Sequence, residues 1–245
     1  MSGLRAVLRR ELYASAVTAP AWLFLIAFLV LAGVCTFFLG DFFPRGQADL
    51  SAFFDFVPWL LLVLVSAASM RLWAEERATG TLELLLALPV TPLAALLGKY
   101  LAAWLWLALA LALTFPLWLT VVYLGHPDNG AIATAYLGSL LLGGALLAVG
   151  TCVSVLARSQ VTAFVLALML GLAYLLAGAS QVQSALVGLL PPALLRMLVQ
   201  LGMLTHFQHI ARGVLDLGDL AFFMLTIIVW LGAGVLLLRW QGQAR

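Results

Sequence analysis

The distribution of charged residues constrains this 245-residue chain most strongly. A helix needs about 20 apolar residues to cross a hydrocarbon core of about 30 Å, and backbone groups in lipid must bond internally. Hydrophobic residues make up 65% of the chain and charged residues only 9%, against about a quarter in soluble domains. The pattern therefore predicts an all-α integral membrane protein. The intervals without Asp, Glu, Lys or Arg are 12–40, 56–70, 100–127, 129–157, 159–195 and 220–238.

These intervals predict six transmembrane helices in one domain that occupies residues 1–245. The second is the weakest, because its charge-free core is short; Trp59 and Trp73 would lie at its ends and Arg71 would reach the interface. Pro116 is expected to kink the third span, and Lys99 to extend toward water from its inner end. The predicted spans are 19–40, 56–73, 92–124, 131–157, 161–178 and 220–238.

The fourth predicted span carries small residues four apart. The pairs are Ser139 with Gly143, and Gly144 with Ala148. Small side chains let helices approach each other closely. These residues therefore predict helix packing rather than a ligand site.

Residues 3–16 have the pattern of an amphipathic helix. Their apolar arc also contains Glu11, an exception to the pattern. A basic amphipathic helix before a membrane span is expected to lie in the cytoplasmic headgroup region; the alternative is a basic flank that only sets topology. The arc consists of Leu4, Val7, Leu8 and Leu12, and the basic residues Arg5, Arg9 and Arg10 point away from it.

Residues 71–99 form a polar interruption between the second and third spans. A leucine-rich helix at 82–88 would end before Pro89, and Thr91 with Pro92 would start the next helix. Three leucines, Leu82, Leu85 and Leu86, share one face. That face would either dock into a groove on another protein or lie on lipid headgroups.

This interruption resembles the signature of type-2 ABC exporter permeases, and the resemblance extends over nearly the whole chain. Within that family it is similar to the gliding-motility branch and to the permease of the nitrous-oxide-reductase copper-maturation system. The residues that carry it are Glu75-Glu76-Arg77, Gly80-Thr81-Leu82-Glu83, Leu85-Leu86, Pro89 and Gly98-Lys99, with Glu11-Leu12-Tyr13, Pro127-Asp128, Gly130, Tyr136-Leu137-Gly138, Ser159-Gln160 and 211–216 outside it.

The resemblance implies that residues 75–89 form a cytoplasmic coupling helix held in a cleft of a separate ATPase subunit, present in two copies. It also implies a dimer of permeases, with ATP and Mg²⁺ bound by the partner subunit and no cofactor in this chain. The residues expected to couple to the ATPase are Glu75, Glu76, Arg77, Gly80, Thr81, Leu82, Glu83, Leu85, Leu86 and Pro89, with Arg158, Ser159 and Gln160 as a second contact.

Residues 181–216 interrupt the pattern of long spans. Pro191 and Pro192 separate two apolar pieces that are each too short to cross a bilayer. A re-entrant helix pair on the outer side is therefore predicted. The polar residues of the second piece are expected to serve packing or the interface rather than a metal, with Arg212 and Asp216 paired four apart on one helix. The residues of interest are His206, His209, Arg212 and Asp216.

The basic residues also predict the orientation. With the N-terminus inside and six spans, nine of the 12 basic residues fall inside and three, Arg45, Arg196 and Arg212, fall outside. The positive-inside rule then places both termini in the cytoplasm of a multi-pass protein of the inner or plasma membrane. The halves show no duplication of the kind that secondary carriers contain, and a six-helix bundle favours a homodimer.

Several functional classes are excluded by motifs that the sequence lacks. It contains no G-x-x-x-x-G-K-[ST], G-x-S-x-G or H-E-x-x-H pattern, so we expect no ATPase, hydrolase or metalloprotease activity of its own. A formal net charge of +2 without a basic stripe argues against nucleic-acid binding. Cys35 and Cys152 lie in apolar intervals and are expected to be buried thiols rather than a disulfide.

Two functions stay open on the sequence. The first is a permease that couples ATP hydrolysis by the separate subunit to conformational switching and export. The second is a mechanotransmitter that moves no solute and relays ATPase work to an extracytoplasmic partner through residues 181–216. An intramembrane enzyme is disfavoured, because no span carries a polar dyad.

Overall fold

A computed structural model describes residues 2–46, 49–80, 91–179, 182, 184, 191 and 197–243. Within these residues the chain is helical and contains no strand. Six helical segments of the described residues are long and apolar enough to cross a membrane, as predicted. The helices are α1 Ser2–Val17, α2 Ala19–Val34, α3 Phe42–Arg45, α4 Ser51–Ser69, α5 Ala74–Ala78, α6 Pro92–Ala112, α7 Phe115–Leu124, α8 Asn129–Leu156, α9 Gln160–Ala177, α10 Met203–Ala211 and α11 Leu217–Gln243.

Helix α8 is the centre of the bundle. In its most apolar stretch 89% of the residues are buried. The helices that pack on it are α4, α6, α9, α10 and α11. The small residues allow this: Gly143 lies against Leu107, and a Cβ on Gly144 would be 2.8 Å from the indole nitrogen of Trp104. The predicted role of these glycines in close packing is confirmed.

The bundle has two ends with different contents. The end that carries α1, α5 and the turn between α8 and α9 is called the elbow end. The opposite end carries α3, the turn before α8, and α10. Every span connects one end to the other.

Helix α1 packs lengthwise on α6. Val7 is buried against Gly98, where a Cβ would come within 2.8 Å of a Val7 methyl carbon. Arg5, Arg9 and Arg10 are exposed on the other side of α1. The predicted apolar arc of α1 therefore packs against α6 of the same chain.

The third predicted span is two helices rather than one kinked helix. α6 ends at Ala112 and α7 begins at Phe115. Pro116 lies in the first turn of α7, where an N–H would have no helical partner, so the missing N–H costs no hydrogen bond. The Thr114 hydroxyl donates to the carbonyl of Leu111 (2.7 Å) and stabilises the break.

The second span begins before the residue expected from its charges. α4 begins at Ser51 rather than 56 and ends at Ser69, so that Asp55 lies within its first turns. Asp49 starts the helix, because its carboxylate accepts from the Ser51 amide (3.1 Å) and hydroxyl (2.7 Å). The segment 41–55 between the first two predicted spans therefore contains α3 and the start of α4.

At the opposite end, α10 packs on α8. Phe207 and Ile210 are buried there, and a Cβ on Gly138 would lie 3.0 Å from Ile210. α11 begins at Leu217 rather than 220 because the Asp216 carboxylate accepts from the Gly218 amide (3.2 Å). Most of the first predicted re-entrant piece lies outside the described residues, and the re-entrant pair stays a prediction.

Candidate functional site

The elbow helix α5 follows α4 after a turn at 70–73 and is capped by another helix. The first N–H groups of a helix have no partner within it. Here the amides of Trp73 and Ala74 both donate to the Ser154 hydroxyl of α8, at 3.1 and 3.2 Å, and all three residues are buried. The start of the elbow is thus bonded to the central helix.

The end of α5 requires a glycine. The Thr79 amide donates to the carbonyl of Glu75 (3.0 Å), and Gly80 follows with φ of +72°. This left-handed conformation is costly for residues with a Cβ. Gly80 thus permits the turn that ends α5.

Glu76 lies at the centre of a buried ion cluster. Its carboxylate Oε1 is 2.8 Å from Lys99 Nζ on α6 and 3.3 Å from Arg10 Nη2 on α1. Lys99 also contacts Glu11 of α1 at 3.1 Å. Two cations and two carboxylates from α1, α5 and α6 therefore neutralise one another, and Glu76 is only 8% exposed.

Lys99 differs from the sequence expectation. It is 2% exposed rather than extended to water, and its ammonium lies 5.4 Å from the centroid of the Trp73 indole. Burying an unpaired charge costs several kcal/mol, so a charge at this depth requires partners. Glu11, the exception in the apolar arc of α1, supplies one of them.

Arg77 points the other way, toward the ends of α8 and α11. Its guanidinium donates to the carbonyl of Val155 (2.7 Å) and to the Gln241 side chain (2.5 Å), and more weakly to the carbonyls of Leu156 and Ala157. The last carbonyls of a helix carry partial negative charge and lack helical partners. Arg77 thus caps α8 and joins it to α11.

The turn between α8 and α9 lies beside the elbow. Ala74, Ala157 and Ala163 form a small apolar cluster that connects the two. The Ser159 hydroxyl caps α9 by accepting from the Thr162 amide (3.2 Å), and Arg158 is exposed. The two regions expected to contact an ATPase are therefore adjacent in space.

The structure places the remaining predicted coupling residues as follows. Glu75 forms an ion pair with Arg71 (2.9 Å), and Gln160 is the first residue of α9. Contacts of Glu76 and Arg77 with an ATPase stay predictions; the bonds described above lie within this chain. The residues outside the described part are Thr81, Leu82, Glu83, Leu85, Leu86 and Pro89.

A second polar cluster lies at the opposite end. Asp219 of α11 is 4% exposed, and its Oδ1 is 2.5 Å from His206 Nδ1 of α10. His209 Nδ1 lies 3.5 Å from the other carboxylate oxygen, and His206 Nε2 lies 3.0 Å from the carbonyl of Gln200. The two histidines thus pack against α11. In the described part of the chain, no group of three His, Cys, Asp or Glu residues could hold a metal ion.

The expected pair of Arg212 and Asp216 is wrong. α10 ends at Ala211, and Gly213 has φ of +89°, so the two residues are not on one helix. Both are exposed, and Asp216 caps α11 instead. Pro191 is exposed, and Pro192 lies outside the described residues.

Sequence reasoning missed several partners in these clusters. Lys99 and Glu11 are each a charged residue in an apolar setting of the sequence. Since a charge in such a setting needs a partner, two of opposite sign are expected to form an ion pair. Ser154, Asp219 and Gln241 gave no comparable signal, because only the packing of distant segments reveals their role.

The family comparison covers the histidine cluster and the part of the elbow cluster that comes from α5 and α6. The model of the ABC-2 family transporter proteins matches residues 45–237, most of the chain and all of the elbow. The chain belongs to the ABC-2 family. It is therefore a permease subunit of an ABC transporter: a multi-pass membrane protein that works with a partner ATPase subunit. A comparison with curated proteins found no significant match.

Proposed function

We propose that this ABC-2 permease is the membrane subunit of an exporter, in which a separate ATPase moves the elbow and the elbow moves the spans. One observation carries the proposal: the five-residue helix α5 is bonded to four other helices. A displacement of α5 therefore cannot be confined to the elbow.

Movement would follow two routes from α5. Glu76 connects the elbow to α1 and α6 through Arg10 and Lys99. Arg77 and the Ser154 cap connect it to α8 and α11. Since packed helices shift between discrete arrangements rather than deform continuously, a shift of the elbow would select between inward and outward states of the bundle.

The ATPase would contact two adjacent places. Residues 75–89 would form the coupling segment rather than one helix, because α5 ends before Gly80; Leu82, Leu85 and Leu86 would lie in the ATPase groove and Glu83 at its rim. The turn at 158–160 would make the second contact, and its position beside Ala74 supports this arrangement. Two ATPase subunits would bind ATP and Mg²⁺, and two copies of the permease would enclose the pathway.

The elbow end would face the cytoplasm, with both chain termini, in the inner or plasma membrane. The excess of basic residues assigned to this end supports the orientation. Ser51 and Thr79 are exposed at opposite ends and offer a direct test. We expect a cysteine at 51 to be labelled from outside and one at 79 only after permeabilisation; the reverse pattern would contradict the orientation.

Two finer assignments belong to the same proposal. The motifs outside the elbow support membership of the branch that contains the gliding-motility and nitrous-oxide-reductase-maturation permeases. Residues 181–216 would form the outer re-entrant pair, and the packing of α10 on α8 supports its second half.

Docking and transmission can be tested with separate variants. Leu85→Asp and Glu83→Arg should abolish copurification with the ATPase while the permease still inserts in the membrane. Glu76→Gln should weaken copurification far less than Leu85→Asp, because the described bonds of Glu76 lie within the permease, yet it should reduce the ATP-dependent movement of the opposite end.

That movement can be measured between spin labels at position 123 of the two protomers, in a Cys35→Ser, Cys152→Ala background. Tyr123 is highly exposed near the end of α7. Wild-type protein should show an ATP-dependent change in distance, and Glu76→Gln a smaller one. Unchanged copurification in Leu85→Asp would argue against docking, and an unchanged distance response in Glu76→Gln would argue against transmission.

A mechanotransmitter that moves no solute is the second candidate function. It is favoured by three exposed apolar residues, Val214 and Leu215 just before α11 and Leu217 at its first position, which would bind an extracytoplasmic partner. Leu217→Asp should then release such a partner while the ATPase stays bound. Substrate-stimulated flux without any partner would exclude this function.

A further inference from the structure

A partly open cavity of about 380 Å³ lies between α1, α2, α4 and α6 at the elbow end. Its volume falls in the range of pockets that hold small molecules. It is lined on one side by the buried ion cluster of the elbow and on the other by side chains of the spans. Two of its lining residues, Glu75 and Glu76, are also among those expected to couple to the ATPase.

The lining changes character along the cavity. Near the elbow it is charged, with Arg71 and Lys99 among its residues; deeper in the bundle it is apolar, with Leu25, Leu64 and Leu107. From Lys99 to Ala110 the cavity follows α6 for about 16 Å at 1.5 Å per residue. A ligand that fills it must therefore have a polar head and an apolar body.

Two tryptophans beside the cavity indicate the level of the membrane interface. Trp22 of α2 contacts Trp106 of α6 edge-on, with ring centroids 5.3 Å apart, and Trp106 lines the cavity. Trp22 is exposed and donates its indole N–H to the carbonyl of Ala16 (2.8 Å). Tryptophan concentrates at the boundary between headgroups and hydrocarbon. The charged part of the cavity thus lies at headgroup level and the apolar part at chain level.

The charges of the lining balance. Among the described residues that line the cavity there are three cations and three carboxylates. Lys99 and Glu76 are buried and neutralise each other, whereas Arg10 keeps a side chain that is 58% exposed. Arg71 and Glu75, at the mouth, form an ion pair that is only partly buried. The mouth therefore offers guanidinium donors for a phosphate and a carboxylate for a cation.

We infer that this cavity binds a zwitterionic phospholipid with a primary ammonium headgroup, of the phosphatidylethanolamine type. Its phosphate would accept from Arg10 and Arg71, its ammonium would donate to Glu75, and its chains would lie along Leu25 and Leu64. A quaternary choline headgroup cannot donate to Glu75, and an anionic lipid supplies no ammonium to add to the Arg71 pairing of that carboxylate. The inference goes beyond the proposed function and does not rest on it.

Such a lipid would bridge helix α1 and the elbow. It would contact Arg10 on one side and Arg71 with Glu75 on the other. The membrane composition would then stabilise the elbow directly. The lipid acts here as a resident ligand rather than as cargo.

Native mass spectrometry and thermal unfolding of the purified full-length permease test the site. Wild-type protein is compared in micelles doped with phosphatidylethanolamine, phosphatidylcholine or phosphatidylglycerol. It should retain the most phosphatidylethanolamine, and this lipid should raise its unfolding temperature the most. Ala103→Trp fills the cavity and should lower retained phosphatidylethanolamine about tenfold. Ala112→Trp, at an exposed position outside the lining, should retain it like wild type.

Glu75→Gln tests the recognition of the ammonium. It should still bind phospholipid but lose the preference for phosphatidylethanolamine over phosphatidylcholine. If Ala103→Trp does not fold, Ala68→Leu on α4 serves as the filling variant. Equal retention in the filled and control variants, or a preference for phosphatidylglycerol, would overturn the inference.

Discussion

The two ends of the bundle each bury a charge, but they surround it differently. At the elbow end, Lys99 meets carboxylates from α5 and α1, of which Glu11 is 88 residues away in sequence. At the opposite end, Asp219 meets His206 and His209 from the helix just before its own, and the closer contact spans 13 residues. One cluster is long-range and the other is local.

This difference determines what each cluster can do. The elbow cluster fixes three segments relative to one another, so breaking it would loosen α1, α5 and α6 together. The histidine cluster fixes only α10 against α11. A device that transmits movement through a membrane needs the first kind of connection, whereas the second kind stabilises one end locally.

Removing the charge of Lys99 should have the largest effect on stability. Lys99→Met leaves the buried Glu76 and the partly buried Glu11 with only the largely exposed Arg10 beside them, and loss of one partner costs about 3–5 kcal/mol in comparable buried pairs. Chemical unfolding in detergent micelles measures it. The triple variant Lys99→Met, Glu11→Gln, Glu76→Gln removes the uncompensated charges and should recover most of the loss. A loss below about 1 kcal/mol in Lys99→Met would show that the cluster is solvated.

Asp219→Asn should have a smaller and more local effect. It removes the negative charge between two histidines while keeping the size of the side chain, and we expect a loss of about 2 kcal/mol. Hydrogen exchange distinguishes the two clusters: Asp219→Asn should raise exchange only around 203–219, and Lys99→Met around 4–12, 74–80 and 92–100. Exchange that spreads to the elbow in Asp219→Asn would remove the contrast between the ends.

The contrast also explains what could be predicted from the sequence. The six spans follow from charge-free intervals, because the bilayer selects helices by composition along one segment. The end of α5 follows from Gly80 for the same local reason. The break between α6 and α7 is set by Pro116 together with Thr114, and the sequence indicates the proline but not the geometry.

The partners of the elbow charges depend on packing between distant segments. The sequence places Glu76 and Arg77 in a polar interruption expected to contact the ATPase, and it does not indicate that the bundle supplies Lys99 to one and the end of α8 to the other. Ser154 is one of many small residues in α8, and only its place beside Trp73 makes it a cap. Such roles need tertiary distances that periodicity does not contain.

Ser154→Ala tests the connection between the elbow and the central helix. It leaves the amides of Trp73 and Ala74 buried without an acceptor, so we expect a loss of about 1.5 kcal/mol. Ser139→Ala on the same helix is the matched control: its buried hydroxyl donates to the carbonyl of Ala135 (2.7 Å), and its removal leaves no unpaired donor. Equal unfolding free energies for the two variants would mean that Ser154 does not cap the elbow.

Gly80→Ala should have the smallest effect of the series and affect only the end of α5. Among the described residues an added Cβ meets no atom within 4 Å, so the expected loss of about 1 kcal/mol is that of the left-handed backbone. Gly33→Ala is the control, since it also has open space but lies within α2, where alanine should be neutral or stabilising. Gly80→Asn should recover part of the loss, because asparagine tolerates this conformation. Equal destabilisation by alanine and asparagine at position 80 would place the effect in packing rather than in the backbone, and the elbow would then end for a different reason.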